Sequence, residues 1–353
     1  MPAENLSAAL DIEGVVPITS VQLDAMVVLK IVKHCRESAP STVTGQLMGL
    51  DVNGVLEVTH SFPMPKTQDS EDYEAGSQYQ LQMMRCLREV NVDDNSVGWY
   101  QSTNLGNFMN QSLIEHQFEF QQALSKSVLI IHDVARSSMG NLNLRALRLT
   151  PAFMKLYKEK KFTSETLAQS KLSFSNIFEE LPITIRNSAL LNALLFELES
   201  DESLEATASH LTTYNAANSQ QQQRKTALST NFDMLDLSMD PYIERNLEQV
   251  MDSIDDHTQE QGNYAYWQRS VERENKKKAA YLANRKAENA RRQQAGQQPL
   301  PNEDVDSLFK LPAEPSRLDH LLITGQIDNY CKQINAFAGP TLSKLFAVGE
   351  LQK

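Results

Sequence analysis

Histidines are the side chains that most often carry metal or acid–base chemistry, and the chain has seven of them. None forms an H-x-H or H-E-x-x-H pair, the spacings that bring two imidazoles to one zinc ion. His132-Asp133 ends an apolar run, where catalytic residues do occur, but it has no partner at ligand spacing. The three cysteines, Cys35, Cys86 and Cys331, are far apart and predict reduced thiols. From these residues we expect no cofactor and no visible catalytic apparatus.

A polar triplet, Gln101-Ser102-Thr103, follows an apolar run in the stretch "VGWYQSTNLGNF". The run predicts a buried strand, so the triplet would lie where that strand meets a loop. An amide oxygen and two hydroxyls are poor zinc ligands. The end of a buried strand is a typical position for a metal site, whereas these three residue types are not typical metal ligands.

The surrounding pattern predicts one α/β domain over residues 18–151. Thr19-x-x-Gln22 fits a capping box and predicts that a first helix begins there. Two β-branched runs flank Asn53-Gly54, which is the strongest short signal for a hairpin. Helical and apolar segments then alternate, and "SVLIIHDV" is typical of a central strand. We therefore expect a sheet flanked by helices.

The rest of the chain divides by composition. We expect a flexible tail over 1–17, an α/β extension packed on the domain over 152–199, a polar glutamine-rich linker over 200–241, a long helix over 242–293, a proline-containing linker over 294–316, and amphipathic helices for complex assembly over 317–348.

The long helix is too long for one small domain to bury, so we expect a partner to cover part of it. Its last part, residues 269–292, is basic, which favours a solvated helix face, with contact to RNA or to an acidic protein surface as the alternative. The apolar positions that we expect to bind partners are Ile243, Leu247, Val250, Ile254, Leu318, Leu321, Leu322, Tyr330, Ile334 and Phe337.

Net charge is −12, which argues against nucleic-acid binding by the whole molecule. The N-terminus lacks the pattern of a secretory signal, and no apolar run is long enough to span a bilayer. We expect a cytoplasmic protein with no membrane contact and no small-molecule substrate.

The order of elements, together with "TGQLMG" and "VGWYQS", resembles the MPN domain of the JAB1/MPN/Mov34 family. The resemblance implies a central mixed sheet flanked by helices. Active members of the family are zinc metalloproteases that cleave isopeptide bonds of ubiquitin and its relatives. In them a glutamate is the general base, while two histidines and an aspartate bind zinc.

This chain departs from that pattern at nearly every position. By the resemblance, Thr42 occupies the general-base position, and Gln101 and Thr103 replace the two zinc histidines. Ser102 between them is kept. The family spacing puts the zinc aspartate at Ile114, or at Glu115 if the loop is one residue longer. The resemblance therefore implies an inactive domain without metal.

Within the family, "FEELPITIRNS", "LPNEDVDSLFK" and "RLDHLLITGQIDNYC" are similar to an MPN subunit of eukaryotic translation initiation factor 3. This implies a non-catalytic subunit of an assembly that binds the small ribosomal subunit and promotes initiation. Its partners would be a second MPN subunit and PCI-domain subunits. The alternatives are a divergent zinc deubiquitinase using Glu115 with His132 or His116, and a scaffold of the proteasome lid or COP9 signalosome.

Overall fold

The computed structural model describes residues 17–65, 72–138, 142–194, 196–197, 240–294 and 308–351. The chain divides into two compact units. The first contains the described residues of 1–150, 178–243 and 335–353, and the second those of 151–177 and 244–334. Among the described residues, no helix has both the length and the apolar character needed to cross a membrane.

The first unit is built on one mixed sheet. Its strands are β1 (Ser20–Asp24), β2 (Thr44–Val52), β3 (Val55–Pro63), β4 (Ser96–Thr103), β5 (Val128–Asp133), β6 (Leu144–Leu149), β7 (Phe178–Leu181) and β8 (Ile183–Arg186). Their order across the sheet is β7-β6-β5-β4-β2-β3-β1-β8. The pairs β1–β3, β1–β8 and β4–β5 are parallel, and the other pairs are antiparallel.

The described helices are α1 (Ala25–Ser38), α2 (Asp72–Glu89), α3 (Gln111–Ala123), α4 (Val134–Ser138), α5 (Pro151–Glu159), α6 (Ser164–Ser170), α7 (Asp240–Gln294) and α8 (Leu318–Leu351). The predicted fold class, a mixed sheet flanked by helices and followed by long C-terminal helices, is confirmed. All six residues of β5 are buried, as its continuous apolar run predicts.

The expectation of a helix starting at Thr19-x-x-Gln22 is wrong, because this segment forms β1. Val21 and Leu23 alternate with polar residues and are fully buried between β3 and β8. Gln22 donates a side-chain hydrogen bond to Glu57 at 3.2 Å instead of closing a capping box. The period of two therefore overrides the local capping signal. The hairpin turn at Asn53-Gly54 joins β2 and β3, with φ of 53° and 84°.

Residues 152–199, which we expected to form an α/β extension packed on the domain, are divided between the two units. Residues 178–186 supply β7 and β8, the two edge strands of the main sheet. Residues 151–177 belong instead to the second unit, where the backbone N–H of Arg317 donates to the carbonyl of Phe162 at 3.0 Å. The two edge strands thus come from a segment that is distant in sequence from the strands they pair with, β6 for β7 and β1 for β8. Each pairing satisfies backbone groups of β6 or β1 that would otherwise be unpaired.

The expected linker over 294–316 is in contact with α7 where the structure describes it. Trp267 Nε1 donates to the carbonyl of Pro312 at 3.1 Å, and the rings of Tyr281 and Phe309 are 5.6 Å apart. The expected tail over 1–17 and linker over 200–241 fall almost wholly outside the described residues.

Candidate functional site

The polar triplet at the end of β4 lies in the middle of the sheet, since β4 pairs with β2 on one side and with β5 on the other. Gly98 permits the close approach to β5, because a Cβ at this position would overlap the carbonyl oxygen of Val128. Trp99 and Tyr100 follow and are buried. The triplet is therefore held on a rigid central strand.

The fold uses both hydroxyls of the triplet. Ser102 Oγ accepts a hydrogen bond from the N–H of Val43 at 2.8 Å, and the N–H of Ser102 donates to the carbonyl of Val43 at 2.9 Å. Thr103 Oγ1 donates to the carbonyl of Asn107 at 2.9 Å. The two residues are 3% and 2% exposed. They fix the β4 end and its loop instead of facing a substrate.

The pairing of β2 with β4 brings Thr42 close to the triplet, although the two are far apart in sequence. Val43, which follows Thr42, is the backbone partner of Ser102, and Gln101 pairs with Thr44. Thr42 is exposed and Gln101 is half-buried. The accessible groups at this end of the central strands are thus the amide of Gln101 and the hydroxyl of Thr42.

Ile114 and Glu115 lie on α3 with opposite environments. Ile114 is 0% exposed and fills the core, while Glu115 is exposed. Successive helical residues are about 100° apart, and here Ile114 faces the core whereas Glu115 faces solvent. The buried position holds a hydrocarbon side chain.

The deubiquitinase alternative needs Glu115 with His132 or His116. His132 is 1% exposed inside the sheet, and the ring of His116 packs edge-on against Trp99 with centroids 4.4 Å apart. In the parts of the chain that the structure describes, no group of three or more His, Cys, Asp or Glu side chains is arranged to hold a metal ion.

His132 and Asp133 end β5 as buried titratable groups. Neither ring nitrogen of His132 has a hydrogen-bond partner among the described residues, and burial lowers its pKa to about 4. Burial also raises the pKa of Asp133, whose Oδ1 accepts from the N–H of Arg136 at 3.2 Å. Asp133 therefore caps α4, and His132 is a neutral core residue at neutral pH.

A polar chain that the sequence analysis missed ties this region together. Trp99 Nε1 donates to Gln117 Oε1 at 2.7 Å, and Gln117 Nε2 donates to Gln121 Oε1 at 3.4 Å. Gln121 Nε2 donates to the carbonyl of Leu149 at 2.9 Å, and its Oε1 accepts from the N–H of Leu149 at 3.1 Å. The signal was two glutamines one turn apart on the apolar side of α3.

A pocket of about 220 Å³ lies beside Trp99. Its lining is aromatic and neutral where it meets β4 and α3, through Trp99, His116 and Phe120. Gly45 also lines the pocket, and a Cβ at this position would overlap the ring of Tyr100 in the core. Among the described residues that line the pocket none is a carboxylate, so this part of the pocket suits apolar contact.

Two family models match the chain. The model described as JAB1/Mov34/MPN/PAD-1 ubiquitin protease matches residues 17–126. The model described as the C-terminal region of eIF3h matches residues 137–224 and 208–353. Curated proteins named as the H subunit of eukaryotic translation initiation factor 3, abbreviated eIF3h, match from end to end. That of Emericella nidulans is 43% identical over 95% of this chain and 96% of its own length.

The chain belongs to the eIF3h family. The eIF3h protein of Aspergillus oryzae is 44% identical over 95% of this chain and 96% of its own length. That of Coccidioides immitis is 44% identical over 94% and 95%. The MPN part of this eIF3h family member runs from β1 through α3, and the C-terminal match takes in β7, β8, α7 and α8.

Several positions expected to bind partners are instead buried within the chain. Leu318, Leu321, Leu322 and Tyr330 are 7%, 9%, 4% and 1% exposed. Tyr330 donates from its hydroxyl to Gln249 Oε1 of α7 at 3.3 Å. The expectation for these four is wrong, because they are already buried within the chain itself, and the cover of Tyr330 includes α7.

Of the six remaining positions that we expected to bind partners, four are half-buried and two are exposed. Ile243, Val250, Ile334 and Phe337 are half-buried, and the ring of Phe337 lies 4.3 Å from that of Tyr242. Leu247 and Ile254 are both 47% exposed. Five further apolar residues on the same helices are exposed without having been expected from the sequence: Met251, Tyr266, Leu342, Leu345 and Phe346.

Proposed function

We propose that the chain is a non-catalytic scaffold subunit of the eukaryotic translation initiation factor 3 complex. In this role it supports binding to the small ribosomal subunit, formation of the preinitiation complex and translation initiation in the cytoplasm. The observation that carries the proposal is the end-to-end match to proteins named eIF3h, which covers the sheet and both long helices.

The chemistry at the family's catalytic positions supports a non-enzymatic role. Thr42, at the proposed general-base position, cannot accept a proton from water near neutral pH. Gln101 and Thr103, at the proposed histidine positions, offer an amide and a hydroxyl that already donates to Asn107. Ile114, at the proposed aspartate position, offers no donor atom.

Zinc prefers imidazole, thiolate and carboxylate ligands, so this set does not fit the metal that the family implies. If Glu115 takes the carboxylate position, as a loop insertion would allow, one exposed carboxylate still lacks both imidazoles. We therefore derive no catalytic step at this site. Ser102 is retained with a structural task, the pairing with Val43.

We place the partners on the surfaces that the chain leaves open. A second MPN subunit would pair with the sheet unit, and PCI-domain subunits would contact the long helices. In support, the C-terminal part of α8 exposes Leu342, Leu345 and Phe346 at 55%, 56% and 68% on one helical face. Such a face is costly in water and is typical of a helix that docks into a partner.

RNA contact by the basic segment 269–292 belongs to the same proposal. This segment carries nine Lys and Arg against three Glu, in a chain of net charge −12. Local positive charge attracts phosphate even when the whole molecule is acidic.

The test uses point variants of the tagged full chain in a eukaryotic cell, because truncating α8 would also uncover α7. We expect Leu342→Glu, Leu345→Glu and Phe346→Glu combined to reduce co-purifying initiation factor 3 subunits at least about tenfold, since each change puts a charge into an apolar contact. Ser343→Glu, exposed on the same helix, is the matched control. Quantitative mass spectrometry of the co-purified proteins measures the loss. A wild-type chain that recovers no initiation factor 3 subunits would overturn the function itself.

A further inference from the structure

The short helices α5 and α6 of the second unit carry a cluster of basic residues in an acidic chain. Residues 151–177 contain five lysines and two glutamates, a net charge of +3 in a chain of net charge −12. All five lysines are exposed. We name this cluster the lysine corner, and its members are Lys155, Lys158, Lys160, Lys161 and Lys171.

The helix α5 presents its two lysines on the side away from its packed residues. Phe153 and Leu156 are its buried side chains. Lys155 and Lys158 each follow one of them by two positions, which is a rotation of about 200° around the helix axis. Both ammonium groups therefore point away from the core of this unit.

The loop between α5 and α6 is fixed directly after Lys160 and Lys161. The next residue, Phe162, is 5% exposed, and its carbonyl accepts from the N–H of Arg317 at 3.0 Å. Thr163 then begins α6 with a capping box. The loop thus presents its two ammonium groups on a backbone that is held by packing and hydrogen bonds.

Two of the lysines occupy backbone positions that favour glycine. Lys160 follows α5 and Lys171 follows α6, each with φ of 52°. Glycine adopts this left-handed conformation without strain and is the usual residue after the last turn of a helix. A lysine strains the backbone there, and what it adds over glycine is a charged side chain.

The ammonium groups of the lysine corner are unpaired. Among the described residues, none of the five lies within 4.0 Å of a carboxylate oxygen. Glu314, which approaches α6, accepts from the N–H of Ser164 at 3.0 Å and lies 3.7 Å from Arg317. On α7, by contrast, Lys276 pairs with Glu272 at 2.9 Å. Unpaired like charges attract a polyanion more strongly than charges that neighbouring glutamates neutralise.

The surroundings of the lysine corner suit phosphate and do not suit unpaired bases. The aromatic side chains of 151–177 are buried or half-buried, so the segment lacks an exposed ring on which such a base would stack: Phe153, Tyr157, Phe162 and Phe174. Double-helical RNA is bound largely through its shape, its phosphates and its 2′-hydroxyls. The helix α6 spans about 10 Å at 1.5 Å per residue, so lysines at its two ends reach several phosphates of one duplex.

We propose that the lysine corner binds the phosphate backbone of double-helical RNA without sequence preference. The choice of RNA as the polyanion rests on the proposed role in translation initiation, whereas the binding of phosphate rests on the lysines themselves. The surface is distinct in sequence from the basic segment 269–292 of α7.

The first test measures the affinity of the purified full chain for a fluorescently labelled RNA duplex of mixed sequence by anisotropy. Each lysine–phosphate contact that is lost reduces the slope of log affinity against log salt by about 1. Lys160→Gly with Lys171→Gly should therefore make this slope shallower by about 2 and weaken binding at low salt by about tenfold. Glycine suits both backbone positions, so a thermal melt should show a variant at least as stable as wild type.

Lys33→Gln with Lys332→Gln is the matched control. It also removes two exposed ammonium groups, but each of these pairs with a carboxylate four residues away on its own helix. Because neither lysine belongs to the lysine corner, the change should alter duplex affinity by less than about twofold.

The second test compares ligands for the wild-type chain. Single-stranded RNA of the same length should bind more weakly than the duplex, because the segment has no exposed ring for its bases. Vesicles that contain phosphatidylserine should not retain the chain in flotation at physiological salt, because stable membrane binding needs a second signal besides basic residues.

Five results would overturn the proposal. The wild-type chain does not bind the duplex at low salt. The double glycine variant binds it as tightly as wild type, which would show that the two lysines only cap their helices. Affinity is lost instead in Lys276→Gln with Lys277→Gln, which would place the phosphate contact on α7. The chain binds the vesicles but not the duplex, which would assign the lysine corner to a lipid surface. The double glycine variant loses co-purifying initiation factor 3 subunits at unchanged duplex affinity, which would assign it to an acidic protein.

The outcome is separable from that for the proposed function. A wild-type chain that recovers initiation factor 3 subunits but fails to bind duplex RNA would remove the lysine corner as an RNA site and leave membership of the complex in place. The α8 variants test that membership without changing any residue of the lysine corner.

Discussion

The indole N–H of Trp99 donates to the side-chain oxygen of Gln117 at 2.7 Å inside the MPN core. The indole is 4% exposed and the glutamine 0%, so neither group can turn to water instead. The strand that ends at Gln101-Ser102-Thr103 is thereby fixed to α3 by a buried polar contact.

Gln117→Ala should destabilise the sheet unit by about 2 kcal/mol, because it leaves the buried indole N–H of Trp99 without a partner and removes the bond from Gln117 to Gln121. Gln122→Ala, at an exposed position on the same helix, should change stability by less than about 0.5 kcal/mol. Urea denaturation of the full chain, followed by tryptophan fluorescence, measures both. Equal midpoints for the two variants would show that the polar chain contributes nothing.

Gly98→Ala should destabilise more strongly, by about 3 kcal/mol, because the new methyl group meets the backbone of Val128 rather than a mobile side chain. Gly349→Ala is the control, since no atom lies within 4 Å of its added Cβ and alanine favours a helix over glycine. Thermal melts of both variants provide the measurement. A Gly98→Ala protein as stable as wild type would mean that β4 and β5 can move apart without cost.

The sheet was largely predictable because its strong signals are local. The all-buried β5 and the Asn53-Gly54 turn are examples. The edge strand β8 was not assigned to the sheet, because only long-range pairing with β1 places it there. The same limit applies to Tyr330, where an apolar helical stripe predicts a contact but does not say whether the chain itself or a partner supplies it.

Purified chain should contain much less than one zinc per molecule, because the groups at Gln101, Thr103 and Ile114 do not suit the metal. Inductively coupled plasma mass spectrometry after dialysis against zinc-containing buffer measures the ratio. A value near one would contradict this prediction. The variants Glu115→Ala, His116→Ala and His132→Ala would then identify the ligands.

Protein stability should fall between pH 6.5 and 4 through His132. Burial holds the folded-state pKa of this imidazole near 4, below the value of about 6.5 in an unfolded chain. The unfolded state therefore binds the extra proton over this interval, so stability is full above pH 6.5 and decreases as the pH falls towards 4. The shift corresponds to about 3 kcal/mol at the acid end.

His132→Leu separates this effect from the titration of other groups. It removes an imidazole whose nitrogens have no partner among the described residues, so it should leave stability at pH 7.5 about unchanged. Its pH profile should be flatter by most of those 3 kcal/mol. Asp133 acts in the opposite direction, because burial raises its pKa, and it remains in both proteins. Urea midpoints at half-unit steps from pH 4 to 7.5 compare the two chains. Parallel profiles would show that water or a local opening solvates the His132 ring in the folded state.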